Sequence, residues 1–187
     1  MRGLWLVAAV LIATPAHAQE AAPDDSAVAA LAQPEAQFRA LLARVVFDTP
    51  TMRMAAEAMG IEPFCAATLP AVEKAVEAHL PAWRANLVQA YRDSVPADVL
   101  AQAAGKTPEE AQPLVAPHMD AVGTAMHKAS SPLLKEAAGE VLGAVAEKAE
   151  AYDIKTVDME KRRAELRAGA ADGSTFCGLF GRPKPAA

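Results

Sequence analysis

The sequence predicts an all-α fold, a single bundle of six or seven short and partly proline-kinked helices, and three observations support that class. Large apolar residues recur at steps of three and four along most of the chain. Several of these stretches open on Ser or Thr close before Pro, a pairing that caps a helix and presets its first turn. No run alternates with a period of two and no Asn-Gly type dipeptide joins two apolar runs, so hairpins have no support.

The first clear stripe is Phe38, Leu41, Leu42, Val45 and Val46, which fall on one helical face. Thr49-Pro50 then caps a short helix carrying Met52, Ala55, Ala56 and Met59, which Gly60 ends. A third segment starts at Pro63 and holds Leu69, Val72, Val76, Leu80, Trp83, Leu87 and Tyr91 on one side. Pro70 and Pro81 interrupt it, and because proline removes a backbone donor and crowds the preceding turn, a bent or divided helix is expected there.

Ser94-Val95-Pro96 reads as the next start, with Val99 and Leu100 inward and Gly105 as the stop. Thr107-Pro108-Glu109-Glu110 has the form of a capping box, in which a hydroxyl and a Glu three residues on satisfy each other's backbone N–H groups. Val115, Met119, Val122 and Met126 follow as a stripe, and Ser131-Pro132 is expected to open a new helix running to about Tyr152. A last helix, Asp158 to Arg167, is mostly charged and should lie on the surface.

Residues 1–18 have the form of a signal peptide: Arg2, an apolar run from Leu4 to Ala13, and the small-residue triplet Ala16-His17-Ala18. The run is too short for a membrane-crossing helix, which needs about 20 residues, so cleavage and a periplasmic or secreted mature protein are expected. No transmembrane segment is expected in the mature chain. Residues 19–34, rich in Ala, Asp and Pro, read as a flexible linker, residues 35–168 as the helical domain, and residues 169–187 as an irregular tail. Hydrophobic residues make up 52% of the chain but aromatics only 5%, so the core rests on few large side chains. With 18 basic and 23 acidic residues the chain is net acidic, which speaks against a nucleic-acid partner.

Cys65 and Cys177 are the two thiols, and in an oxidising compartment they are expected to pair. The bond would close a loop of about 112 residues, for which chain entropy gives on the order of 4 to 5 kcal/mol, and would pin Phe176, Leu179 and Phe180 over the core. The alternatives are two free thiols or an intermolecular link. No Cys-x-x-Cys motif suggests redox catalysis.

The candidate chemistry is sparse. His118-Met119 and Met126-His127 offer copper-type ligands, but the two histidines fall on opposite sides of a helix, and Met52, Met54 and Met59 read more simply as packing residues. His79 beside Glu73 and Glu77 lacks a nucleophile with an orienting partner. Gly139 and Gly143 suggest close helix approach inside the bundle, and Lys161-Arg162-Arg163 with Arg167, interleaved with Glu160 and Glu165, suggests a solvated face. No catalytic, cofactor-binding or metal-ligating residue is therefore assigned.

The stretch Leu87-Val88-Gln89-Ala90-Tyr91-Arg92-Asp93-Ser94-Val95-Pro96-Ala97-Asp98-Val99-Leu100 resembles a family of secreted helical bacterial domains of unknown function, a likeness running over residues 87–130. That family's aromatic pair has no counterpart in Ala101 to Ala104, and Gly105-Lys106-Thr107-Pro108 matches its later turn loosely. The resemblance implies an envelope-located helical bundle and carries over no functional residue. The function expected is a non-enzymatic module of the cell envelope that binds a protein partner or an apolar ligand between helices. The alternative is an envelope-acting enzyme or accessory using Glu57, Glu62, Glu73 or Glu77.

Overall fold

Amphipathic stripes at helical spacing bury their large side chains only by facing one another, and they do so here. A computed structural model describes residues 23–172 and 177–178; the expected signal peptide, and Phe176, Leu179 and Phe180 of the tail, lie outside them. The described residues are all-α, with no strand. The helices are α1 (Asp25–Ala32), α2 (Pro34–Phe47), α3 (Pro50–Met59), α4 (Ile61–Ser94), α5 (Ala97–Ala103), α6 (Pro108–Val115), α7 (Met119–Ala149) and α8 (Met159–Asp172). Short 3₁₀ turns at Ala116–His118 and Ile154–Thr156 lead into α7 and α8.

Helices α1 to α7 pack together around the long pair α4 and α7, with α2 and α3 seated on both, α1 on α4, and α6 joining α1 and α5. Val72, Val76, Trp83 and Leu87 of α4 share one buried core with Val122, Ala137, Val141 and Val145 of α7 and with Phe38, Leu42 and Val46 of α2. Each of the larger side chains contributes about 1.5 to 3 kcal/mol on leaving water. Phe38 and Trp83 stack with ring centroids 4.9 Å apart. Among the described residues no helix is long and apolar enough to cross a membrane.

Local signals act as their chemistry requires at two starts. Thr49 Oγ1 accepts from Met52 N before Pro50, and Thr107 and Glu110 form a complete capping box at α6. Elsewhere the structure departs from the sequence reading. The expected linker holds α1, capped by Asp24, with Val28, Ala29 and Ala32 buried, so small apolar residues order a stretch whose composition suggested a flexible arm. The expected start at Ser94-Val95-Pro96 is a cap without a side-chain hydrogen bond, because Ser94 belongs to the end of α4. Ser131-Pro132 opens nothing: α7 runs through it without a break.

Helix α4 likewise continues through Pro70 and Pro81. A proline within a helix orphans the carbonyl four residues before it. For Pro70, Pro81, Pro113 and Pro132 those carbonyls belong to Ala66, Glu77, Glu109 and Lys128, all exposed, as are the four prolines. Exposed positions let water stand in for the missing donor, which a dry interior would not, and the helices continue. Leu41 and Val45, expected inside, are 37% and 36% exposed, because α2 turns the Phe38–Leu42–Val46 line inward and leaves its neighbours at the edge.

Candidate functional site

Residues with acid, base or nucleophilic chemistry are kept apart by the fold. Glu57 accepts two hydrogen bonds from Arg163 of α8, at 3.0 and 3.3 Å. Glu73 is bound by Arg39 of α2, which also reaches Glu35 at 3.3 Å, and these carboxylates hold the Arg39 guanidinium above its ordinary range. Glu62 and Glu77 are exposed on α4. No pair of these four shares a cleft described by the structure, and each engaged one is committed to a separate arginine.

His79 is buried on α4 with Nε2 3.2 Å from Glu140 Oε1 of α7, close enough for an ion-pair contact but outside hydrogen-bond geometry. Trp83 Nε1, one turn on, is also buried without a hydrogen-bond partner among the described residues. Asn86, on the same face, donates to Ser130 Oγ at 3.1 Å. Of this row Asn86 makes the hydrogen bond to α7 and His79 the contact with Glu140, and these two favour one register of α4 against α7.

Ser131 and His127 place a hydroxyl beside an imidazole, with Oγ 3.3 Å from Nδ1. The hydroxyl already donates to the His127 carbonyl at 2.5 Å, so its proton is not available to the imidazole. Met126 is buried, while Met119 is 37% exposed and accepts a 3.7 Å contact from the Tyr91 hydroxyl. Among the described residues no group of three or more His, Cys, Asp or Glu could hold a metal ion. Gly139 and Gly143 are exposed and a methyl group at either would touch nothing, so the close helix approach expected there is made instead by Ala137, Ala138 and Val141. Arg162 and Arg163, expected on a solvated face, turn toward α3.

Clefts that remain between helices are therefore the places where a ligand fits. One of about 630 Å³ lies between α1 and α4, and another of about 660 Å³ adjoins it toward α2; both include Ala29 and Arg84. Their other arginines are paired, Arg92 with Asp25 at 2.6 Å and Arg39 as above, which leaves Arg84 as the cation the two clefts share.

A third, of about 460 Å³, sits where the elbow between α1 and α2 faces the end of α4 and the start of α6. The elbow is made by Gln33, whose left-handed backbone (φ 46°, ψ 56°) is uncommon outside glycine and brings Leu31 and Ala32 round to face Ala111 and Val115. Those four residues supply an apolar lining. Polar groups come from the carboxamides of Gln33, Gln37 and Gln112 and from Tyr91, and no charged residue lines the cleft. Burial pushes the Tyr91 phenol up, which keeps it neutral at any physiological pH with its hydroxyl directed to Met119.

Sequence reading missed this site because it needs the turn at Gln33, which lay inside the presumed linker. The legible signal was Asp24 as a helix cap followed by Val28 and Leu31, then Gln33-Pro34 as a second start. No protein-family model, curated protein or solved structure matches the chain.

Proposed function

We propose that this chain is a non-catalytic binding module of the cell envelope that holds a neutral, largely apolar ligand in the cleft between α1, α2, α4 and α6. The observation that carries this reading is the cleft's lining: an apolar surface from Leu31, Ala32, Ala111 and Val115, and carboxamides from three glutamines without a charged residue among them. An amide side chain both donates and accepts, so three of them around an apolar surface suit a ligand with the same alternation, such as an uncharged peptide segment. A charged group entering there would lose water and find no counter-charge. The leader pattern of residues 1–18 and the Cys65–Cys177 bond support placement outside the cytoplasm.

The test is titration of ¹⁵N-labelled protein with a capped apolar dipeptide, N-acetyl-Leu-Leu-amide, and with its free-acid counterpart. The capped form is expected to shift the side-chain amide signals of Gln33, Gln37 and Gln112, and the acid to do so more weakly. Shifts confined to the Arg84 clefts, or none at millimolar peptide, would contradict the reading.

A further inference from the structure

Helix α8 is the element with the least reason to stay where it is. Its first three turns, Met159 to Arg167, are mostly charged, and its two large apolar residues, Met159 and Leu166, are only half-buried. Apolar burial is what ordinarily docks a helix, and among the described side chains of α8 it is slight.

Among the described residues three other contacts help to hold it. Arg163 donates twice to Glu57 of α3, whose side chain is only 15% exposed. Arg162 lies over the backbone of Gly60, so close that a methyl group built on Gly60 would stand 1.8 Å from Nη1. The third contact is covalent: Cys177, five residues after the end of α8 at Asp172, is joined to Cys65 in the second turn of α4, with Cα atoms 5.2 Å apart. Both cysteines are half-buried, neither sealed inside the core nor fully exposed.

We infer that α8 is a redox-latched strap, held across α3 by the Cys65–Cys177 disulfide acting with Arg162 and Arg163, and released from the bundle when that bond is reduced. The disulfide keeps the end of α8 near α3, so the two arginine contacts re-form whenever they open. Without it each is a surface ion pair or a side-chain packing contact, individually weak and screened by salt. A dithiol reductant supplies two electrons and two protons: the sulfur–sulfur bond breaks, both cysteines become thiols and the reductant closes into its own disulfide. Release uncovers Glu57 and the Gly60 turn between α3 and α4. Among the described residues α8 contributes no side chain to the core around α4 and α7, so release is local.

The experiment compares hydrogen exchange in the oxidised chain, the dithiothreitol-treated chain and a Cys177→Ser variant. The variant leaves Cys65 and every core residue in place, and limited trypsin digestion supplies a second readout. Reduction and the variant are each expected to raise exchange across residues 159–172 at least tenfold and to speed cleavage at Arg162, Arg163 and Arg167, with α4 and α7 protected as before. Added salt should widen the effect in the reduced chain. Unchanged protection of α8 on reduction would overturn the inference, as would loss of protection in α4 and α7 in step with α8, because the bond would then hold the whole bundle rather than a strap.

Discussion

Phe38 of α2 lies stacked on Trp83 of α4, rings 4.9 Å apart and inclined by 28°, where α2 meets the α4–α7 pair. The stack joins the only tryptophan beyond residue 5 to a side chain with no exposed surface, in a chain holding five phenylalanines. Phe38→Ala is expected to destabilise the fold by about 3 to 5 kcal/mol, the range for truncating a buried aromatic. Urea unfolding followed by Trp83 emission checks it, and a loss under 1 kcal/mol would mean that α2 is not part of the core.

Gly60 links α3 to α4 at φ 87° and ψ 167°, a region that only glycine occupies without strain. Gly60→Ala should cost about 1 to 3 kcal/mol. The added methyl also meets Arg162, but that is the end of a flexible side chain and can move aside. Adding Arg162→Ala should therefore fail to restore stability, since the strain lies in the backbone. Full rescue in the double variant, read by thermal unfolding, would show that the collision and not the dihedral matters.

Two caps make acid the first threat to the elbow and to α6. The Ala27 backbone N–H, then the Ser26 hydroxyl, hold the Asp24 carboxyl below its ordinary value; the Thr107 backbone N–H, then its hydroxyl, do the same for Glu110. A carboxylate whose folded pKa is depressed adds stability that is complete above its unfolded pKa and disappears as pH falls through the folded one. Stability should thus be level from neutral pH to the ordinary carboxylate range near about pH 4 and decline below it. Asp24→Asn, which retains an accepting oxygen but does not titrate there, should flatten part of that decline in a series of unfolding curves; an unaltered acid limb would show that Asp24 contributes none of it.

Thr107→Ala removes one half of the capping box and is expected to cost about 1 kcal/mol. Because α6 forms one wall of the neutral cleft, the same variant should weaken the binding of N-acetyl-Leu-Leu-amide. Calorimetry on the two proteins at one temperature checks both effects, and unchanged affinity would place the ligand elsewhere.

What the sequence made legible and what it hid divide along a physical line. Side chains that act on their immediate neighbours could be read directly: Thr49 and Thr107 cap the helices they were expected to cap, and Phe38, Leu42 and Val46 lie inward as their spacing requires. Prolines misled because the penalty they impose depends on whether water reaches the orphaned carbonyl, and the exposure of Glu77 and Lys128 is a property of the assembled bundle. Helix α1 was hidden because Ala29 and Ala32, which count for little as isolated hydrophobic residues, become buried once α4 and α6 lie against them. The neutral cleft was hidden together with α1, which supplies Leu31 and Ala32 to its lining. Its glutamines carry no motif, and only the left-handed turn at Gln33 gathers them.

The most direct test of the cleft as a binding site is to fill it. Ala116 lines it but is exposed, so Ala116→Phe projects a ring into the space without displacing a core residue. Affinity for N-acetyl-Leu-Leu-amide, measured by calorimetry on wild type and variant with helical circular dichroism shown equal, is expected to fall at least tenfold. Equal affinity in a correctly folded Ala116→Phe protein would contradict the assignment.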